Sequence, residues 1–497
     1  MFKFLLSEAA RLANAITIGK DRITDEQYIV KEINEFKVSK RRNDMLNGEK
    51  YYAGKHDILS RKRTVIGEDG KLEEVENLPN NRIVDNQYKK MVDQKNNYLL
   101  GQPISVQCEN EQYAKHLKQV FNKRFQRLMK AVGEDSLNCG IGWLFVHYDE
   151  HGEITFKRLK PFEVIPLWKD AEHTVLDGAI RIYEVIAYEG LTQKVIQKVE
   201  VYDDNGITFF ELSDDILTPV EPFVQNYFTI TDEDGTETGY NWTKIPLIPF
   251  KYNNKEIPLI KMVKTLQDGL NSIESNFQNS MEEDVRNTIL VLKNYDGENL
   301  GKFRKNLAAL GAVKVRTVDG ADGGVEKLTI EVNSENYKAI LEIFKKAIIE
   351  NAMGYDAKDD RLAGNPNQMN IQSMYSDIDL DANSMETEYQ ASFEDLLWFI
   401  NCHLVNMGMG DFEGEEVDII FNRDILISEG EVIDNCQKSV GVLSDETIIA
   451  NHPWVDDPQA EMERLKKQKE ENMEQYGLAF EPAANQENQE TEENISD

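Results

Sequence analysis

The sequence predicts an α+β fold, and three observations carry that reading. Apolar residues at Leu259, Val263, Leu266, Leu270, Ile273, Phe277 and Met281 recur every three or four positions, the period of one helix face. A second helical pattern carries Tyr337, Ile340, Leu341, Phe344, Ile348 and Met353, and a strand-rich insert from Thr288 to Glu331 lies between the two. Residues 140–250 instead alternate as short strands with turns between them, lacking the regular strand and helix alternation of a nucleotide-binding sheet. Two long helices with a small insert at their far end form a stalk, and the rest of the chain is expected to build around its base.

In order, residues 1–24 read as an amphipathic arm, because Glu8 and Arg11 fall too early for the apolar segment of a signal peptide. From Thr24 to Asn47 the pattern is helical, with Asn47 and Gly48 as its exit, and a basic stretch with Lys55, Arg61, Lys62 and Arg63 follows. That stretch is expected to be a solvated face or a subunit contact, with phosphate contact by Arg61, Lys62, Arg63 and nearby Lys71 as the alternative. A second helical segment opens at Asn81 and stops at Gly101 and Pro103, and residues 109–140 read as a further helix. Past Gly140, Trp143 to Tyr148 and Ile154 to Phe156 predict a hairpin, with strands near 164–168, 179–188, 194–202 and 207–211. Helix 369–410 follows the stalk, then a mixed region over 411–478 with Ser428 and Ser444 as helix caps. The tail, 479–497, has no lysine or arginine and is expected to be disordered.

With 497 residues and 40% hydrophobic content, the chain can supply two to four structural units. Its 56 basic and 89 acidic residues leave a net charge of −33, which repels nucleic acid approached as an ordinary ligand. Such a surface is compatible with surrounding DNA without gripping it. Cys108, Cys139, Cys402 and Cys436 form no CxxC pair and read as buried thiols. No uncharged run approaches the roughly 18 residues needed to cross a bilayer, so no membrane partner is expected.

Enzyme signatures fail on spacing. Gly297 and Gly301 are one residue too close for a phosphate loop, and Phe303 stands where a hydroxyl should hold magnesium. The seven histidines have no zinc-ligand spacing. Asp377, Asp379 and Asp381 sit two apart, which splays them on a helix; they read as capping or surface carboxylates, with an interfacial metal as the alternative. No catalysis, cofactor or metal is expected. An acidic metal-dependent nuclease is a remote rival, and an assembly scaffold without a DNA channel is the main alternative.

Several blocks, in order, resemble one known family. They are Asn81 to Val84 with Asp93 to Pro103, Cys139 to Gly142 through Pro166, Ile245 to Phe250 with Asn253 and Asn254, and Gly441 to Thr447 with Pro453 to Pro458. The chain resembles the portal proteins of tailed bacteriophages, most closely those typified by the portal of a Bacillus siphophage. The resemblance covers roughly residues 25–460 and rests on scaffold signatures rather than a catalytic fingerprint.

That resemblance implies a portal fold with a long helical stem, a mixed wing, a small α/β clip and a mainly helical crown. The divisions are an arm at 1–24, wing at 25–258, first stem helix at 259–286, clip at 287–332 and second stem helix at 333–355. A tunnel loop at 356–368, a long wing helix at 369–410, the crown at 411–478 and an acidic tail at 479–497 complete them. It implies a ring of about twelve subunits at one capsid vertex, with double-stranded DNA passing through without sequence preference. The expected partners are the terminase large subunit, head-completion or adaptor proteins, and the major capsid and scaffolding proteins, in the virion and, during assembly, the host cytoplasm. Lys358 and Arg361, beside Gly364, Asn365 and Pro366, are the candidate DNA backbone contacts. Asp268, Glu274, Glu282, Glu283 and Asp284 are candidates for a negative channel wall. Leu290, Val291, Leu292, Val313, Val315 and Leu328 are candidates for sealing the clip ring through strand edges.

Overall fold

The structure is a computed structural model of the full chain. It describes residues 25–66, 70–75, 78–189, 192–231, 234–286, 289–293, 324–328, 334–357, 368–423, 429–455 and 458–478. The expected arm, most of the insert and the tail lie outside these residues. The chain divides into a larger unit, Met1–Asp356 with Ser376–Asp424, and a smaller one, Ala357–Tyr375 with Ile425–Asp497.

The larger unit opens with α1 (Asp25–Val38) and α2 (Lys40–Tyr52). The single helix expected here is two, because the Ser39 hydroxyl accepts the Arg42 N–H and caps a fresh start. Gly48 is also not an exit. It is buried, and a Cβ there would lie 1.9 Å from the carbonyl oxygen of Asn138, so glycine permits helix backbones to touch. After β1 (Thr64–Ile66) and β2 (Leu72–Glu74), residues 79–86 run extended where a helix was expected from Asn81. Helix α3 (Gln87–Leu100) starts only when Asn86 accepts the Lys89 N–H.

Strand β3 (Ser105–Cys108) leads to α4 (Glu111–Val120) and α5 (Lys123–Cys139). Their predicted single helix is cut by Asn122, which accepts the Arg124 and Phe125 N–H groups. Gly140, at φ 82°, closes α5 in the left-handed conformation. Then come β4 (Ile141–Tyr148), β5 (Ile154–Leu159), β6 (Val164–Trp168), β7 (Leu176–Glu189), β8 (Thr192–Asp203) and β9 (Gly206–Ser213), as the alternation predicts. Strand β10 (Ile216–Gln225) lies beyond the strands the alternation predicts; it carries Pro219 and Pro222, which are tolerated because it is an edge strand. A small hairpin of β11 (Phe228–Thr231) and β12 (Glu237–Tyr240) precedes β13 (Leu247–Lys251).

Two antiparallel sheets result, a meander ordered β10-β9-β8-β7-β6 and a three-stranded sheet ordered β13-β4-β5. Ile29, Ile33 and Phe36 of α1 pack on Ile165, Ile180, Ile182, Val199, Phe210, Leu212 and Leu217 of the meander. Each fully buried side chain of this size contributes roughly 1.5–3 kcal/mol.

The chain continues through α6 (Ile260–Arg286), β14 (Ile289–Lys293), β15 (Gly324–Leu328), α7 (Ser334–Asn351) and α8 (Gln368–Asn406). Helix α8 lays Tyr389 and Phe393 against Phe250 of β13, with ring centroids 5.0 and 5.8 Å away. Strand β16 (Val417–Ile420) returns to pair antiparallel with β3, so residues 411–424 belong to the larger unit. Ser428 lies outside the described residues. The smaller unit carries α9 (Glu429–Lys438), α10 (Asp445–Ala450) and α11 (Pro458–Leu478), with Ser444 capping α10 as predicted.

Candidate functional site

Helices α6 and α7 lie antiparallel as the predicted stalk. Phe277 faces Tyr337 with ring centroids 4.7 Å apart, and a Cβ at Gly269 would meet the Phe344 ring at 2.5 Å. Strands β14 and β15 pair antiparallel beyond the end of α6, with Ile289 opposite Leu328 and Leu292 opposite Val325. The candidate clip residues Leu290, Val291, Leu292 and Leu328 sit on this strand pair. Val313 and Val315 lie outside the described residues.

A feature the apolar repeat hid runs along α6. Gln267, Asn271, Ser275 and Asn279 recur every fourth residue and are all buried, forming a polar ladder beside the apolar face. The extended segment before α3 lies against it. The Asn81 N–H donates to Asn279 Oδ1 at 2.7 Å, and Ile83 N–H to Ser275 Oγ at 2.9 Å. Asp85 N–H reaches Asn271 Oδ1 at 3.1 Å, and Tyr88 N–H reaches Gln267 Oε1 at 2.9 Å. The match is geometric. Four helical residues advance about 6 Å, and two extended residues advance about 6.6 Å, so the first three rungs meet every second N–H, and the fourth, Gln267, meets the Tyr88 N–H in the first turn of α3. The strap thus satisfies, with side chains, donors that a sheet would otherwise take.

The candidate wall acids have partners within the chain. Asp268 accepts from the Tyr51 hydroxyl and from Lys264 at 2.8 Å. Glu282 accepts from Asn81 at 3.1 Å and Gln278 at 3.2 Å. Glu274 lies 3.8 Å from Lys345, whose ammonium binds Asp85 at 2.7 Å. Burial and then the Asp85 charge push the Glu274 carboxyl up to about 7. At Asp85 burial is outweighed, chiefly by Lys345, and the carboxyl falls below its usual value. Much of the Glu274 charge is therefore absent near neutral pH. Glu283 and Asp284 lie on α6, with side chains outside the described set.

This has a measurable consequence. The unfolded carboxyl loses its proton near pH 4.5 and the folded one near 7. Glu274 therefore contributes stability that is complete below about pH 4.5 and lost as pH rises through 7. Glu274→Gln, which keeps the neutral form, is expected to raise the melting temperature relative to wild type progressively from pH 5 to 8. A difference that stays flat across that range would contradict the assignment.

The loop between α7 and α8 is held at both flanks. Lys95 of α3 is buried, with its side chain 2% exposed; its ammonium donates to Met353 O at 3.2 Å and Asp381 Oδ2 at 2.6 Å. Gln94 donates to Tyr355 O at 2.9 Å and accepts the Tyr355 N–H at 3.1 Å. One cation therefore bridges residues 353 and 381, on either side of the loop. Lys358, Arg361, Gly364, Asn365 and Pro366 fall outside the described residues.

The acidic trio on α8 needs correction. Asp381 also accepts from the Tyr252 hydroxyl at 2.8 Å, and Asp379 accepts from the Tyr98 hydroxyl and from Arg423 at 3.0 Å. Two of the three carboxylates are thus ion-paired inside the fold, neither capping nor merely solvated; only Asp377 is exposed. Among the described residues, no cluster of histidine, cysteine, aspartate or glutamate suits a metal ion. The signal sequence reasoning missed is Lys95, a lone lysine in an otherwise uncharged stretch of α3 from Gln94 to Leu100.

Compared with known protein families, residues 33–475 match the model described as "Phage portal protein, SPP1 Gp6-like". The chain belongs to this phage portal protein family. The portal protein of Bacillus phage SPP1 is 29% identical over 435 residues, 87% of this chain and 84% of that protein. The portal protein of Clostridium phage phiCD119 is 28% identical over 435 residues, 86% of this chain and 92% of that protein. Identities this close to each other do not single out the Bacillus type. A chain from the solved "Neck of native GTA particle computed with C12 symmetry" aligns at TM-score 0.40 and 12% identity, over 73% of this chain and 88% of that one. Family membership carries the general portal role, a ring with a channel at the viral capsid.

Proposed function

We propose that the chain assembles as a ring of about twelve at a single capsid vertex, through which double-stranded DNA enters during packaging and leaves during ejection. Helices α6 and α7 form the stem, and the insert between them, including β14 and β15, forms the clip that meets the terminase large subunit and later the head-completion proteins. The wing comprises residues 25–258 with α8, the tunnel loop spans 356–368, and the crown begins after β16. The major capsid and scaffolding proteins are the remaining partners.

The observation that supports this reading most is the antiparallel α6 and α7 pair, with the antiparallel β14 and β15 pair in the insert between them and Lys95 bridging across the loop that follows α7. A helix of 27 residues spans about 40 Å, long enough to frame a channel wall. A loop that meets moving DNA can rearrange while its ends stay fixed, and Lys358 and Arg361 are its backbone contacts. Asp359 and Asp360 between them keep any grip weak. With Asp268, Glu274 and Glu282 engaged inside the subunit, a negative wall would fall mainly to Glu283 and Asp284. Electron microscopy of the purified protein is expected to show closed rings with an axial hole; only small open assemblies would contradict the proposal.

A further inference from the structure

From Gln112 to Gly133 the sequence contains no acidic residue but holds Lys115, Lys118, Lys123, Arg124, Arg127 and Lys130. In a chain of net charge −33 this is an inversion of sign. All six are exposed on α4 and α5, while Tyr113, Leu117, Phe125 and Met129 turn the opposite faces inward. Among the described residues none of the six forms an ion pair, whereas lysines elsewhere, such as Lys62, Lys169, Lys198 and Lys244, do. The next acids along α5 are engaged: Glu134 accepts from the Tyr52 hydroxyl, and Asp135 binds Arg158 in bidentate fashion. Lys123, Arg127 and Lys130 repeat at four and three residues, a line of charge about 10 Å long on one helix face.

We propose that this stripe is a second DNA contact, a surface for the phosphate backbone of double-stranded DNA separate from the tunnel loop. It rests on the portal reading above. Two features favour nucleic acid over an acidic protein. Protein interfaces are anchored by apolar or aromatic side chains in their centre, and no large hydrophobic residue of α4 or α5 is itself exposed, the exposed Met409 lying beside Gln112 at the start of α4. A line of unpaired lysines and arginines without such an anchor instead suits a polyanion that binds by releasing condensed counterions. The acidic remainder of the chain repels the same ligand, which favours the stripe over the acidic surface as a contact for DNA outside the tunnel loop.

The test uses the full-length wild-type assembly as purified, whatever its size, and a short mixed-sequence duplex followed by fluorescence anisotropy between about 50 and 200 mM salt. The variant replaces Lys123, Arg124, Arg127 and Lys130 with glutamine, and a control replaces Lys466 and Lys467 with glutamine. Each phosphate interaction removed lowers the slope of log affinity against log salt by about 0.9, so the variant should lose about 3 to 4 from the slope. It should bind about tenfold or more weakly, with the control unchanged. Equal binding by wild type and variant, or no binding by wild type, overturns the stripe proposal. So does a variant that keeps its melting temperature but no longer assembles, because the stripe would then be a subunit contact. Wild-type rings that ignore DNA leave the portal reading standing; absence of rings counts against that reading alone.

Discussion

Replacing Asn271 with leucine is expected to cost the fold about 3 kcal/mol or more, because several buried groups lose their partner at once. Asn271 Oδ1 accepts from the Asp85 N–H and from Gln267 Nε2 at 3.0 Å, and its Nδ2 donates to His56 Nδ1 at 2.7 Å. Burial holds His56 below its usual range, so it is neutral near pH 7, and its other nitrogen contacts the Tyr51 carbonyl at 3.0 Å. Leucine keeps the same branched outline with methyls in place of the amide oxygen and nitrogen, so the loss is chiefly one of hydrogen bonding, with a smaller overpacking cost from the bulkier methyls. Each stranded buried donor or acceptor costs about 1–3 kcal/mol. The strap before α3 should loosen from the stem helix. Urea unfolding measures the effect, and a loss below about 1 kcal/mol would show that the ladder is not a stabilising element.

Lys95→Met is the second large effect, about 3–5 kcal/mol, because it leaves the Asp381 carboxylate in the interior without its cation. Asp381 retains only the Tyr252 hydroxyl. The Met353 carbonyl loses a donor as well, which frees the end of α7 where the loop begins. Adding Asp381→Asn removes the stranded charge, so the double variant should recover more than half of the loss. Thermal or urea unfolding of the four proteins gives the coupling energy. Additive losses, with no recovery in the double variant, would show that the ammonium and carboxylate do not act as a pair. Amide exchange should report faster opening around residues 353–357 in the single variant, since a local clamp has been removed.

The long elements were legible because burial on one helix face imposes a period: the apolar repeats gave α6, α7 and α8, and alternation gave β4 to β9. What the pattern could not show was long-range partnership. Gln267, Asn271, Ser275 and Asn279 read as an ordinary polar face, because nothing local announces that an extended segment near residue 81 will lie against them. Asp379 and Asp381 read as surface or metal-binding carboxylates because their cations, Arg423 and Lys95, are remote in sequence. Gly48 read as a helix exit since close helix crossing and helix termination both select glycine. Asn122 split a predicted helix for the converse reason, a capping side chain amid residues that are individually good helix formers. Of the candidate site, the stem acids and clip strands were locatable, but the inward pairing of Asp268, Glu274 and Glu282 depended on Tyr51, Lys345 and Asn81. The basic run in α4 and α5 was plain in the sequence; its meaning needed the exposure and lack of ion pairs that only packing reveals.

The central claim is a closed ring with an axial channel. Negative-stain electron microscopy with mass measurement on the same purified sample tests it most directly. Closed rings of about twelve subunits with an open central hole are the expected result. Monomers or open assemblies across salt and magnesium conditions, persisting when scaffolding and capsid proteins are supplied, would contradict it.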